Sequence, residues 1–436
     1  ARAAIFCCAA APLGAVPSPS MPSVTIEGYK GVAANEGTSV LGASSVGTLT
    51  FWMATLNLLS HYFGALVLNM HYVVGQSGWA LGSLVALLVI LLLRDCGQRL
   101  IGCCEEMQRR GFSSPTYAMI GYEAFGEVGR WLVLALSLIE LWCGIVWMNI
   151  VSWNNCTLML AGYPLHWLIF GFLLLASATA WLKSLQQAGR MSMLAALALL
   201  VVLVSVVAQL RLLPRLQAAK EREYSPARWE GIGISASIVA AAFAGHVALP
   251  SVYCAMERPA LLRRSLTWAY VLLSLAYLTV GVVGYVLYGN SSHELILMDL
   301  GPSGGQRVSH STRVLLNIML AALTIKALCA VPVELLVMTD VLQRELQSSR
   351  GIRLSEQQSL QLRMLLWLPA AALSLGAFET VRRLIAFTGC VAMLTSGLLP
   401  AALHLRLKWT QLAGWRRALL VLEGALALAL AVLIVL

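Results

Sequence analysis

The chain has 436 residues, of which 59% are hydrophobic and 11% charged; a water-soluble domain carries roughly a quarter charged residues. So little charge cannot cover a water-facing surface, which excludes a soluble enzyme, a coiled coil, a collagen and a disordered chain. The 30 Lys and Arg against 20 Asp and Glu give a net charge of +10, an excess that membrane proteins place in cytoplasmic loops, so nucleic acid is not implied as a partner.

Residues 1–45 are rich in Pro and Ser and read as an N-terminal cytoplasmic low-complexity tail. The segment AAIFCCAAAPLGAV inside it is similar to a signal h-region, but the tail is the reading adopted. Residues 46–436 read as one membrane domain. Crossing a bilayer core takes about 20 apolar residues. Eleven stretches approach that length, at 46–72, 79–95, 131–151, 164–182, 190–210, 232–254, 266–289, 314–340, 364–378, 384–404 and 418–436. The second and fourth (LGSLVALLVILLL and WLIFGFLLLASATAWL) are uniformly apolar. The first (NLLSHYFGALVLNMHY) is interrupted by polar residues and glycine, and the sixth (GIGISASIVAAAFAGHVALP) is built of small residues and ends at a proline. Backbone freed from a helix is costly in lipid, so such segments face protein or a water-filled cavity.

With the N-terminus in the cytoplasm, the inside segments hold 20 Lys and Arg and the outside segments 9, with Lys326 left in the membrane. That bias sets the N-terminus inside and, after eleven spans, the C-terminus outside. The two sequons, Asn155-Cys156-Thr157 and Asn290-Ser291-Ser292, both fall in segments placed outside.

The ten cysteines show no CxxC and no histidine at zinc spacing, so neither a disulfide framework nor a metal site is expected, and no cofactor is implied. Cys143, Cys254, Cys329 and Cys390 read as small apolar fillers; the vicinal pairs Cys7/Cys8 and Cys103/Cys104 are candidates for acylation at the membrane surface.

Chemistry is expected where helices break. A half-helix presents free N–H groups and a positive dipole end at mid-membrane, which suits a substrate carboxylate. Spans one and six each open a set of five, the pattern of an inverted repeat with an eleventh helix appended. Two readings fit Gly64 and Gly245: a break in the helix, or close packing against a neighbour. Ionisable groups within spans point to function by default. Lys326 lies 13 residues past Arg313, roughly 20 Å into the membrane at 1.5 Å per residue. Glu140 sits near the middle of span three, Glu334 follows Pro332, and His61, His71 and His246 lie in the interrupted spans. Two roles are open for Glu140 and Lys326: a structural ion pair, or part of a relay in which a carboxylate or imidazole carries a coupling proton.

Several segments match one family. NLLSHYFGALVLNMHYVVGQSGWALG resembles the opening of the amino acid/auxin permeases, whose broken first helix precedes a Gly-Trp or Gly-Tyr turn. FAGHVALPSVYCAMERP is similar to the family's Phe-x-x-His/Gln-x-x-x-Pro segment followed by Met-x-x-Pro, and YVLYGNSSHELILMDLG to the stretch after span seven. LSLIELWCGIVW, WLKSLQQAGRMSML, Lys326-Ala327-Leu328 with Pro332, and LLPAALHLRLKW resemble the vesicular inhibitory amino acid transporters within that family. The chain departs from the pattern at Met70-His71, where the family has Leu-Pro, at Ser60, where Asn often recurs, and at Asn69, where a small residue is usual.

The resemblance implies an all-α, eleven-span fold with leucine-transporter-like inverted five-helix repeats plus one extra helix. It implies a secondary transporter of amino acids, driven by protons or by exchange, with no enzyme activity. Substrate contacts are expected from Asn57, Ser60, Gly64, Ala65, Asn69 and His71 of span one and from Phe243, Gly245 and His246 of span six, with Glu140 and Lys326 in coupling. A vesicular or vacuolar membrane and the plasma membrane both fit. An amino-acid sensor of the same fold is the first rival. A membrane-embedded enzyme would want a His/Asp or Cys/His constellation at a membrane face, and a channel a repeated filter signature; the sequence offers neither.

Overall fold

A computed structural model describes residues 47, 49–62, 64–112, 114–160, 164, 185–212, 223–294, 310–376 and 381–435. Within these, the chain is helical throughout, and the isolated β-pairing is a parallel bridge between Leu49 and Met256. Seven of the described helices are long and apolar enough to cross a membrane, and a pair bent by 56°, Phe51–Tyr62 with Leu66–Ser77, makes an eighth.

Helices α1 (Phe51–Tyr62) and α2 (Met70–Ser77) occupy the first expected span, α3 (Trp79–Arg109) the second and α4 (Tyr117–Met159) the third. Then come α5 (Leu185–Ala208) at the fifth, α6 (Ile232–Phe243) with α7 (Leu249–Ala255) at the sixth, and α8 (Leu262–Tyr288) at the seventh. Helix α9 (His310–Arg350) takes the eighth place and α10 (Glu356–Gly376) the ninth. The tenth is α11 (Val381–Ala392), a π-helical turn (Met393–Leu398) and α12 (Leu399–Leu407), and α13 (Gly414–Val435) is last. The expected fourth span and the 1–45 tail fall outside the described residues, apart from Pro164.

Helix ends differ from the apolar windows for a physical reason. Helices α3 and α9 run on to Arg109 and Arg350, beyond the ends at 95 and 340 read from hydropathy. Their extensions are held by charge pairs one turn apart, Arg99 to Asp95 at 2.8 Å, Arg110 to Glu106 at 3.1 Å and Arg344 to Asp340 at 2.9 Å, which support a helix in water where apolar burial stops. Helix α4 likewise continues to Met159, so Asn155 of the first sequon is fully buried inside it rather than in a loop. Cys103 and Cys104 are fully buried on α3, which removes the expectation of acylation there; Cys7 and Cys8 lie outside the described residues.

Helices α4, α5, α9 and α10 pack into one group, and α1, α2, α3, α6 and α8 into another. Small residues let α6 approach α11 closely. Ser237 Oγ donates to the Ile385 carbonyl at 2.8 Å, and Gly389 leaves no room for a Cβ against Ser237. Lipid offers no hydrophobic drive between helices, so such close backbone packing holds them together.

The two interrupted spans are also tied at both ends. At one face the Leu49 N–H donates to the Ala255 carbonyl at 2.9 Å and Glu257 N–H to Leu49 at 3.0 Å. At the other, Arg228 N–H donates to the Ser77 carbonyl at 2.8 Å, and Trp79 N–H to the Ser225 carbonyl at 3.0 Å. Gly78, at φ +83°, makes the expected Gly-Trp corner, a backbone region open to glycine.

Candidate functional site

In each interrupted span the regular helix gives way near a glycine. In span one, α1 stops at Tyr62, Gly64 is extended (φ −83°, ψ 179°), and a 3-10 turn over Ala65–Asn69 leads into α2. Met70 and His71 begin α2, so the helix gives way here without a proline at either position. In span six, Ala244 is extended and Gly245 sits at φ +127°, ψ 18°, before the turn His246–Ala248 and α7. That φ costs a side chain about 1–3 kcal/mol. Pro250 lies in the first turn of α7, where a missing N–H costs nothing.

Five main-chain groups near the two glycines, three carbonyls and two amides, are met by neighbouring hydroxyls. Tyr277 O–H reaches the Tyr62 carbonyl at 3.2 Å and the Ala242 carbonyl at 3.4 Å, so one phenol serves both breaks. Tyr270 O–H donates to the Phe243 carbonyl at 2.9 Å. The Gly245 and His246 N–H groups both point at Ser396 Oγ, each at 3.3 Å. Ser396, on the π-helical turn of span ten, in turn reaches Glu140 Oε1 at 3.5 Å. The Gly245 N–H and the Thr395 side chain also reach Glu140, so a buried carboxylate is joined to the unwound backbone both directly and through the Ser396 hydroxyl.

The buried ionisable groups gather at the same level. Lys326 is 2% exposed and is the positive charge acting on both His61 and Glu334. Glu334 lies against Gly144, where a Cβ would sit 2.8 Å from Oε2, and its charge reaches Glu140, one turn back on α4. His61 leans on the other break: a Cβ on Gly245 would lie 2.9 Å from its Nε2.

The residues expected to touch substrate separate into groups. Gly64, Gly245 and Glu140 lie at the breaks, with Asn57 and Ser60 half-buried on α1 and Ala65 opening the 3-10 turn. Phe243 is fully buried and packs edge-on to Tyr277, with ring centroids 5.1 Å apart. His246 turns away from the gap, its Nε2 2.9 Å from the Leu93 carbonyl of α3 and a Cβ on Gly97 only 2.8 Å away. Asn69 and His71 lie further along span one. Asn69 Nδ2 donates to the Glu294 carbonyl at 2.7 Å, and the His71 ring stands 6.3 Å from that of Tyr288. Lys326 completes the set from α9, its charge acting on both Glu334 and His61.

Sequence reasoning missed Ser396, Tyr270, Tyr277 and Ser137. The run MLTSGLLP carried the signal for Ser396, two small polar residues in an apolar span. Ser137, one turn from Glu140 on α4, lines a cavity of about 60 Å³ with Tyr117, Pro250, Asp340, Arg344 and Glu345. Its Oγ has no hydrogen-bond partner among the described residues, and the space suits one or two waters. Arg130 and Glu345, both buried, form an ion pair beside it.

The chain matches the family described as transmembrane amino acid transporter protein over residues 47–436. It is 24% identical to the amino acid transporter AVT1H of Arabidopsis thaliana over 87% of this chain and 86% of that relative. It is also 24% identical to the vesicular inhibitory amino acid transporter of Rattus norvegicus, over 84% of this chain and 70% of that one. Its fold is similar to the crystal structure of MhsT in complex with L-phenylalanine, with a TM-score of 0.59 at 13% identity, covering 89% of this chain and 98% of that chain. With a leucine-transporter-like helical fold and a family match over most of its length, the chain belongs to the transmembrane amino acid transporter family.

Proposed function

We propose that the protein moves a small neutral amino acid across the membrane by alternating access about the two breaks, with a proton on Glu140 as the coupling charge. The family is one of transporters, so the chain is a carrier and not an enzyme. The observation that supports the reading best is the path from Glu140 through Ser396 to the Gly245 and His246 N–H groups.

In this scheme, Ser396 holds the two N–H groups while the site is empty. An arriving substrate carboxylate takes them over, because a charged acceptor makes stronger hydrogen bonds than a hydroxyl. The freed Ser396 then has only Glu140 to answer to. The substrate ammonium is met by carbonyls at Tyr62, Ala242 and Phe243, displacing Tyr277 and Tyr270. His61 and Tyr62 crowd Gly245, which supports a small substrate side chain. Protonation of Glu140 removes the charge that Ser396 serves, so the proton and the substrate act on one hydroxyl. The water-sized cavity ending at Ser137 provides the route to Glu140 from the face where α9 ends. Gly64, Ala65, Asn57 and Ser60 complete the substrate side, Asn69 and His71 line the outer approach, and Lys326 balances the carboxylates. The charge bias supports a cytoplasmic N-terminus.

Purified protein in liposomes, given a panel of labelled amino acids with and without an inward proton gradient, tests this. Gradient-stimulated uptake of small neutral amino acids is expected. Binding without uptake, in vesicles shown to be sealed and correctly oriented, would instead identify an amino-acid sensor.

A further inference from the structure

A second site lies on the lipid-facing side of α3 and α8, away from the breaks. The apolar run of α3 ends at Leu93, and Arg94 follows it directly. Arg94, Gln98, Arg263, Arg264, Thr267 and Trp268 line a groove of about 260 Å³ between the two helices. Hydrogen bonds fix its floor: Arg94 to Thr267 Oγ1 at 3.2 Å, and Gln98 Nε2 to the Arg263 carbonyl at 2.9 Å. Arg263 is committed to Glu105, through Nε to Oε1 and Nη2 to Oε2, both at 2.9 Å. Arg94 and Arg264 make no ion pair with a carboxylate among the described residues, and Arg264 is exposed.

The helical register continues each arginine into an apolar stripe. On α3, Leu91, Leu87 and Leu84 stand three, seven and ten residues before Arg94, and they are 50%, 53% and 51% exposed. On α8, Trp268, Val271, Leu275 and Leu278 follow Arg264 at four, seven, eleven and fourteen residues, all exposed. At 3.6 residues per turn these are two parallel rows on neighbouring helices, cationic at one end and greasy along the rest.

We propose that this groove binds an anionic phospholipid. Its phosphate is held by Arg94 and Arg264, and its acyl chains lie along the leucine and valine rows. Guanidinium forks match phosphate oxygens, and basic pockets between spanning helices at a leaflet surface suit such headgroups. A water-soluble phosphate would satisfy the arginines but leave the apolar rows without a role, so the occupant is a lipid. Trp268 stands where its indole would mark the boundary between headgroup and chain.

The test uses the full chain in phosphatidylcholine nanodiscs, with and without phosphatidylinositol 4-phosphate, reading lipid retained by native mass spectrometry and the thermal midpoint. Wild type is expected to retain the phosphorylated lipid and to gain several degrees. Arg264→Gln, at an exposed position, is expected to retain about five-fold less, and Arg94→Gln a similar amount less. Arg416→Gln, which removes one charge elsewhere, at an arginine stacked on Trp415 5.2 Å away, is expected to behave as wild type. Equal losses for Arg264→Gln and Arg416→Gln would overturn the site in favour of general charge attraction. Equal stabilisation by soluble inositol 1,4-bisphosphate would overturn the lipid assignment.

Discussion

Ser396 and Glu140 stand 256 residues apart in sequence and 3.5 Å apart in space, and the hydroxyl between the carboxylate and the unwound backbone is the hinge of the site's chemistry. Ser396→Ala removes the hydroxyl that accepts from both the Gly245 and His246 N–H donors, leaving only Glu140 within reach of the first. Each unsatisfied buried donor costs about 1–3 kcal/mol, and a bound substrate carboxylate relieves that cost. The variant is therefore expected to bind amino acid more tightly, on the order of ten-fold, while turning over more slowly. Equilibrium binding set beside initial uptake rates checks both signs; weaker binding would contradict the displacement of Ser396 by substrate.

Glu140→Gln keeps an oxygen to accept from Ser396 but carries no titratable charge. Exchange of labelled for unlabelled amino acid across the bilayer is expected to persist and to lose its dependence on pH. Accumulation driven by a proton gradient is expected to disappear. A variant that still accumulates substrate would move the coupling role elsewhere in the cluster.

Gly245→Ala places a Cβ 2.9 Å from His61 Nε2, at a φ of +127°. The backbone strain alone is about 1–3 kcal/mol, so uptake is expected to fall by roughly ten-fold or more. Combining it with His61→Ala removes the clash with the imidazole and leaves the contact with Tyr62 and the strain. A double-mutant cycle on uptake should then show recovery of about 0.5–3 kcal/mol of coupling; strict additivity would mean that the ring does not press on the break.

Lys326→Met leaves Glu334 buried without its balancing charge. Lys326 acts on Glu334 through space rather than in a contacting ion pair, so the loss is expected to be smaller than the about 3–5 kcal/mol of a contacting buried pair, read as a lower thermal midpoint in detergent. Adding Glu334→Gln is expected to restore most of the midpoint but not proton-driven uptake. A single variant as stable as wild type would show that the two charges do not depend on each other.

Tyr277→Phe tests the phenol shared by the two breaks. Its hydroxyl reaches carbonyls of both α1 and α6, and removal is expected to cost about 1–3 kcal/mol of stability. Tyr270→Phe releases the Phe243 carbonyl and the Tyr62 hydroxyl, both within one half of the site, and should cost stability without loosening both breaks. The same thermal assay reads both.

The described spans were legible in the sequence because lipid imposes a length and a composition, while for Gly64 and Gly245 the sequence left a break and close packing equally open. Helix ends were less legible: α3 beyond Arg94 and α9 beyond Asp340 are held by charge pairs that no hydropathy window detects. The orientation of His246 could not be read, since it depends on Gly97 leaving space on α3. Nor could the partners of the freed amides. Ser396 acquires its role from a π-helical turn that aims it between spans three and six, and the placing of the two serves no local pattern.

The hydrogen bonds that fasten the interrupted spans at both faces restrict how the protein can move. The segment entering α1 is paired with the end of α7 through Leu49 and Met256, and the end of α2 with the segment entering α6 through Ser77 and Arg228. Four half-helices thus form two bonded pairs, and the free joints between the pairs are the two glycine gaps. In the proposed alternating access each pair would swing as a unit, so a displacement at one face would reach both gaps at once. Closing one entrance and opening the other would then be a single degree of freedom rather than two gates that have to be kept in step.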